Sequence, residues 1–136
     1  MQPISSHWSD QAAFRVVKQL GDKDKYVLAS GITPSGVVHI GNFREAITVD
    51  FVARSLKALG KTVRTYHSWD DFDTFRKVPA NLPQQELLTK HLREPICVVP
   101  DPHGKYENYA EAGCKAFEHE LEQVGMHPEF IYQHKK

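Results

Sequence analysis

The chain has 136 residues, of which 40% are apolar and 25% are charged, and its 17 basic residues balance its 17 acidic ones. This composition is typical of a soluble globular domain, and the zero net charge argues against a stand-alone nucleic-acid-binding protein, which would be basic. No apolar run is long enough to span a membrane, and residues 1–10 lack the pattern of a secretory signal peptide. We therefore expect one cytoplasmic domain over residues 1–136.

The cysteines and histidines give no indication of a metal site. Cys97 and Cys114 lack the spacing of zinc ligands, and the eight histidines form no cluster with each other or with cysteine. In a reducing compartment the two thiols are expected to stay free. We expect no metal ion held by the protein itself.

The first half of the chain predicts a β-α-β unit preceded by a helix. Apolar residues at helical spacing predict a helix over residues 9–20, with Ser9 as its N-cap. A strand over residues 26–32 and a long amphipathic helix over residues 41–59 follow. A second strand over residues 63–69 would be joined to the first by a right-handed crossover.

The second half is predicted to be less regular. Five prolines break residues 74–104 into an irregular insertion with one short helix over residues 83–92. A second long helix over residues 107–124 and a short strand over residues 129–133 complete the chain. These elements predict an α/β fold with a three-stranded parallel sheet and flanking helices.

The segment between the first strand and the second helix has the properties of a nucleotide site. A helix start offers unpaired N–H groups and a partial positive charge to phosphate, and small residues such as Gly31, Gly36 and Gly41 let a ligand approach the backbone. The spacing of these glycines matches neither the dinucleotide-binding fingerprint nor the Walker loop.

Charged side chains gather just after the second strand. Asp70, Asp71 and Asp73 would lie at the carboxyl edge of the sheet, where ligands of parallel sheets bind. They could face the ammonium groups of a ligand or cap the next turn. Arg76 and Lys77 could contact phosphate or pair with these aspartates. The residues alone leave both alternatives open.

The tetrapeptide His39-Ile40-Gly41-Asn42 resembles the His-Ile-Gly-His signature of class I aminoacyl-tRNA synthetases. Longer segments extend the match: Ser30-Gly31-Ile32-Thr33-Pro34-Ser35-Gly36, Asn42-Phe43-Arg44-Glu45, Trp69-Asp70-Asp71-Phe72-Asp73, Arg76-Lys77-Val78-Pro79 and Pro100-Asp101-Pro102-His103-Gly104. Together they resemble the class I type of lysyl-tRNA synthetase, in which Asn in the fourth signature position is usual. The likeness covers residues 26–133.

This resemblance implies a fold, a reaction and its partners. The fold would be the first half of the Rossmann-like nucleotide-binding domain of a class I synthetase. The reaction would be activation of lysine by ATP, with Mg²⁺ as the counter-ion of the nucleotide, and transfer of lysine to tRNA(Lys) by the full-length enzyme. Such a ligase belongs to protein biosynthesis in the cytoplasm.

The resemblance also implies site residues. His39 and Asn42 would be catalytic donors to the phosphates. The ATP-binding residues would be Thr33, Pro34, Ser35, His39, Gly41 and Asn42. The amino-acid-binding residues would be Gly31, Thr33 and Asp71.

The chain departs from the family pattern because it carries no Lys-Met-Ser-Lys-Ser-type loop, which in the family grips the pyrophosphate. We expect an N-terminal catalytic-domain fragment that does not aminoacylate alone. A truncated paralogue acting as a nucleotide-binding module, or a nucleotidyltransferase-like protein, is the alternative. The strand over residues 26–32 would then be an uncovered sheet edge, through which we expect self-association.

Overall fold

The computed structural model describes residues 2–36 and 38–136, and it contains one parallel sheet of three strands. The strands are β1 (Lys25–Ile32), β2 (Thr62–Trp69) and β3 (Glu129–Tyr132), and they lie side by side in that order. β1 and β2 are in register over their full lengths, whereas β3 pairs with the last four residues of β2. The predicted α/β fold with a parallel sheet is confirmed.

In the described part of the chain, four α-helices and one short 3-10 helix accompany the sheet. They are α1 (Trp8–Leu20), α2 (Ile40–Ala58), α3 (Gln85–Thr89), α4 (Tyr109–Gln123) and the turn Gln133–Lys135. The helix predicted over residues 83–92 is shorter than expected. It starts only at Gln85 because Gln84 has a φ of 61°, which the helical conformation excludes, and it ends at Thr89. None of these helices combines the length and the hydropathy that a membrane span requires.

The predicted N-cap of α1 is wrong. The cap is His7, whose Nδ1 accepts the backbone N–H of Ser9 at 3.3 Å. Ser9 lies inside the first turn and is buried, and its hydroxyl oxygen accepts a hydrogen bond from Ser55 of α2 at 2.9 Å. Ser9 therefore ties α1 to α2 instead of starting the helix.

Helices α2 and α4 cover the same face of the sheet. Ala46 of α2, Trp69 of β2 and Phe117 of α4 belong to one buried cluster beneath them. The three strands follow one another in chain order, and both crossovers have the same hand. Both connecting helices therefore lie on the same side of the sheet. The opposite face of the sheet carries Val27 and the ion pair of Arg64 with Glu129, and the side chain of Val27 is 63% exposed.

The insertion has a small core of its own. Phe75, Leu88 and Ile96 are buried there, together with Tyr109 from the start of α4. The backbone of Phe75 also pairs with that of Glu94, with an N–O distance of 2.8 Å. This packing fixes the insertion against α4, close to the end of the sheet where the candidate site lies.

Candidate active site

The loop from Thr33 to His39, called the signature loop below, joins the carboxyl end of β1 to the first turn of α2. Its residues differ in exposure: Pro34 is buried, Thr33 is half-buried, and Ser35 is exposed. The loop therefore lies where the ligands of parallel sheets bind, and the side chain of Ser35 is open to solvent.

His39 and Asn42 cap the start of α2 together. The Nδ1 atom of His39 accepts the backbone N–H of Gly41 at 3.0 Å. In return, the Oδ1 atom of Asn42 accepts the backbone N–H of His39 at 3.2 Å. This reciprocal arrangement is a capping box, which satisfies two N–H groups that a helix start otherwise leaves unpaired.

The capping box also orients the remaining donors of both side chains. Because Nδ1 of His39 accepts a hydrogen bond, the neutral imidazole carries its proton on Nε2. Because Oδ1 of Asn42 accepts, its NH₂ group is left to donate. His39 is exposed and Asn42 half-buried, so a ligand at the helix start would meet two side-chain donors and the positive end of α2.

Gly41 leaves room for the imidazole of His39. A Cβ atom at position 41 would lie 2.9 Å from Cε1 and 3.0 Å from Nδ1 of His39. Any larger residue would therefore displace the ring from its hydrogen bond. The sequence had suggested only that Gly41 lets a ligand approach the backbone, so this contact is an additional reason for glycine here.

The first turns of α4 contact the signature loop on its buried side. The hydroxyl of Tyr109 donates to the backbone carbonyl of Ser35 at 2.9 Å, and burial raises the pKa of this tyrosine. A Cβ atom at Gly113 would lie 3.3 Å from Cβ of Pro34, so the helix and the loop are in close contact. Sequence reasoning placed Tyr109 and Gly113 in a helix but missed this role, because the two contact partners are about half the chain apart.

Glu45 of α2 approaches the edge of β1 at Gly31. Its Oε1 atom accepts the backbone N–H of Gly31, with an N–O distance of 3.4 Å. A Cβ atom at Gly31 would lie 3.1 Å from the carbonyl oxygen of Ser68, which explains the glycine. Glu45 was part of the quoted motif but was not predicted as a site residue, and its place one helical turn beyond Gly41 was the available indication.

The three aspartates that follow β2 have different surroundings. Asp71 is 1% exposed, and both of its carboxylate oxygens bond to His134, one to the backbone N–H and one to Nδ1. Asp73 bonds to Arg76 at 3.1 Å and to the N–H of Thr74 at 2.8 Å. Asp70 joins β1 through its backbone, whose N–H donates to the carbonyl of Ile32 at 3.0 Å.

These contacts decide between some of the alternatives. Arg76 pairs with Asp73, as one of the two alternatives predicted, while the side chain of Lys77 is exposed. Asp71, predicted to bind the amino acid, has its carboxylate directed to His134 rather than to the signature loop. The other predicted site residues lie along the end of β1, the signature loop and the first turn of α2.

The turn at the end of the insertion is fixed by Asp101. Its carboxylate accepts the backbone N–H groups of His103, Lys105 and Tyr106 at 2.8–3.1 Å. Burial by itself would raise the pKa of Asp101, but these three donors together hold that pKa below its ordinary value. Together with Pro34 and Tyr109, the turn lines an apolar cleft of about 200 Å³ beneath the signature loop.

Cys97 and Cys114 are free thiols, and burial raises the pKa of Cys114 most strongly. Within residues 2–36 and 38–136, no three His, Cys, Asp or Glu side chains come together as a metal site.

Comparison with known proteins agrees with this geometry. Residues 6–136 match the family described as tRNA synthetases class I (K). This chain belongs to that family. The sheet, the signature loop and the capped helix are thus the class I synthetase's Rossmann-like nucleotide-binding half-fold.

Individual members of the synthetase family are similar over nearly the whole chain. The lysine–tRNA ligase of Treponema pallidum (strain Nichols) is 50% identical over 132 residues, which are 97% of this chain and 25% of that ligase. That of Borrelia garinii subsp. bavariensis is 55% identical over the same shares. That of Pyrococcus horikoshii is 48% identical over 93% of this chain and 24% of the ligase. The chain spans about a quarter of the length of these relatives.

Proposed function

We propose that this chain supplies the signature-loop part of the ATP site of a lysine–tRNA ligase. The observation that carries the proposal is the reciprocal capping of His39 and Asn42, which leaves the Nε2–H of one and the NH₂ group of the other to donate at a helix start. Relatives that are named lysine–tRNA ligase and are about half identical support the choice of reaction.

The proposed first step is the activation of lysine. A carboxylate oxygen of lysine attacks the α-phosphorus of ATP, the bond to the bridging oxygen breaks, and pyrophosphate leaves with the electron pair to give lysyl-adenylate. A carboxylate needs no base to become a nucleophile, so the protein has to position the reactants and stabilise charge. His39 and Asn42 would donate hydrogen bonds to the phosphate oxygens. Thr33, Pro34 and Ser35 would shape the wall beside them, and Gly41 would keep the imidazole in place.

The amino acid would be bound beside Gly31 and Thr33. Glu45 supports lysine over glutamate, because its carboxylate lies at the N–H of Gly31 and would repel an acidic side chain. Asp71, which the family resemblance places in this subsite, would help only if it gave up its bonds to His134.

The remaining partners follow from the reaction. ATP would enter with Mg²⁺ on its phosphates, and the acceptor of lysine would be tRNA(Lys), bound by a protein of the relatives' full length. The proposed location is the cytoplasm, where protein synthesis uses this tRNA. A nucleotide-binding module without ligase activity is the alternative.

Calorimetric titration in the presence of ATP tests the choice of amino acid. We expect lysine to bind to this chain more tightly than glutamate or glutamine. Tighter binding of glutamate would contradict the proposed substrate. ATP binding without selectivity for any amino acid would favour the nucleotide-binding module.

We also propose that the chain self-associates through β1. Among the described residues this strand pairs on one side only, with β2, and Val27 on it is 63% exposed. An unpaired strand edge can accept a strand of a second copy. Val27→Lys should therefore reduce the average mass in light scattering, while Leu20→Lys, a matched change on the exposed end of α1, should not. Wild-type protein that stays monomeric at high concentration would exclude the proposal.

A further inference from the structure

The apolar cleft beneath the signature loop is not explained by the proposed ATP site. His39 and Asn42, whose side chains are the proposed donors to ATP, do not line it. Pro34 forms part of its wall, and the Tyr109 hydroxyl, which bonds to the carbonyl of Ser35, lies on the same side of the loop. The cleft therefore needs an account of its own.

Small residues of α4 leave the space for this cleft. Ala112, Gly113 and Ala116 lie on the same face of the helix as the buried ring of Phe117, and Leu82 of the insertion lines the cleft as well. The volume is about 200 Å³. Because an apolar cavity of about 150 Å³ can bind benzene, this space is sufficient for one aromatic ring with a short side chain.

The buried polar side chains in the lining already have hydrogen-bond partners. The carboxylate of Asp101 accepts three backbone N–H groups, and the hydroxyl of Tyr109 donates to the carbonyl of Ser35. Neither side chain needs a water molecule or a polar ligand to satisfy it. The interior of the cleft therefore favours an apolar group.

The charges around the cleft favour a cation. Among the described residues that line it, Asp101 and Glu120 are carboxylates, and none is lysine or arginine. Glu120 is exposed, and it makes no hydrogen bond or ion pair within the part of the chain that the structure describes. A positive group on a ligand would thus gain a partner at Glu120, while a negative group would be repelled.

We propose that this cleft binds a small aromatic amine, with the ring between the signature loop and α4 and the ammonium group at Glu120. This inference goes beyond the proposed function and does not depend on which nucleotide the loop binds. The ring would contact Pro34 and Val38, which line the cleft from the loop. A bound amine would therefore hold the loop from its buried side.

The test is a titration of the ¹⁵N-labelled chain with 2-phenylethylamine, followed through the amide resonances of Leu82 and Gly113. The control ligand is 3-phenylpropionate, which has the same ring and a chain of similar length but the opposite charge. We expect the amine to shift both resonances, with a Kd of about 1 mM for a ligand of this size. The carboxylate should bind about tenfold more weakly, because it loses an exposed charge pair and gains a repulsion.

Two variants locate the ring and the ammonium group. Ala116→Leu places a larger apolar side chain at an exposed position of the cleft wall and should abolish binding, whereas Ala58→Leu, at the exposed end of α2, should not. Glu120→Gln should weaken binding of the amine about two- to fivefold and reduce its preference over the carboxylate. Glu122→Gln is the matched control, since Glu122 is an exposed residue of α4 that does not line the cleft.

The possible results decide the proposal. A wild-type chain whose Leu82 and Gly113 resonances do not respond to the amine would overturn it. Equal binding to the wild type and Ala116→Leu would place the ligand outside the cleft and would also overturn it. A preference for the amine that is the same in Glu120→Gln and Glu122→Gln would contradict the role of Glu120.

Discussion

The hydroxyl group of Tyr109 donates a hydrogen bond to the backbone carbonyl of Ser35 at 2.9 Å, across 74 positions of sequence. Through this contact the beginning of α4 holds the middle of the signature loop. The edge-to-face packing of the Tyr109 ring on Phe75, with a centroid distance of 5.1 Å, links the same residue to the core of the insertion. The geometry of the loop therefore depends on the insertion as well as on β1 and α2.

The first prediction concerns this contact. Tyr109→Phe removes the hydrogen bond and keeps the packing, so we expect a loss of about 1 kcal/mol in the free energy of unfolding in urea. ATP affinity should also fall, because the loop loses the hydrogen bond that holds its backbone at Ser35. Tyr26→Phe is the matched control, since the Tyr26 hydroxyl bonds to the backbone carbonyl of Gly21, far from the loop. It should lower stability and leave ATP binding unchanged; equal effects of both variants on ATP would contradict the role of Tyr109.

The second prediction concerns the space beside His39. Gly41→Ala would place a methyl group 2.9 Å from Cε1 of the imidazole and so displace the ring. Because alanine favours a helix by about 1 kcal/mol over glycine, we expect no loss of stability in thermal unfolding. ATP affinity should nevertheless drop as far as in His39→Ala.

Gly36→Ala is the control for that experiment, because a Cβ atom at Gly36 would have no neighbour within 4 Å. It tests whether any substitution in the loop is harmful. If Gly41→Ala bound ATP as well as Gly36→Ala does, the position of the imidazole would not matter for nucleotide binding.

The third prediction concerns the pH dependence of stability. Burial lowers the pKa of His67 below its ordinary value of 6.5, although the charges of Glu45 and Glu118 partly oppose this. The unfolded chain then takes up a proton at a higher pH than the folded chain. Stability is therefore complete above pH 6.5 and decreases as the pH falls below it, by at most about 1.4 kcal/mol per pH unit.

Urea unfolding between pH 7 and pH 5 checks this prediction against a variant. His67→Phe removes the titrating group and retains an aromatic ring beside Trp69 and Phe117, so its stability should vary less with pH in this interval. Asp101 and Glu129 have carboxylates whose pKa values are lowered in the folded chain. They change the free energy of unfolding at lower pH and therefore do not interfere with the slope measured here. A slope in His67→Phe equal to that of the wild type would assign the pH dependence to other groups.

Local sequence patterns predicted the elements of the fold but not the contacts between them. The strands and long helices followed from apolar periodicity, which the structure satisfies because α2 and α4 bury one stripe each against the sheet. The N-cap of α1 was missed because Ser9 is a common capping residue, yet here it is buried against Ser55, 46 positions away. Propensity does not report such tertiary partners.

In the candidate site too, the sequence predicted residues but not the contacts between distant parts of the chain. The motif pointed to the loop and to His39 and Asn42, and the structure places both residues at the start of α2. It could not indicate that Asp71 is bonded to His134, 63 positions later, or that Glu45 reaches the backbone of Gly31. Neighbouring aspartates look alike in the sequence, and only their three-dimensional partners distinguish Asp70 from Asp71.

The central claim is that the signature loop binds ATP through His39. The direct test is a calorimetric ATP titration of the wild type, His39→Ala and His127→Ala, an exposed histidine that precedes β3 at the opposite end of the sheet. We expect His39→Ala to weaken ATP binding at least about tenfold, because a hydrogen bond to a charged group contributes about 1.5–3 kcal/mol. His127→Ala should bind ATP like the wild type. Equal affinities of the wild type and His39→Ala would show that the loop is not the nucleotide site.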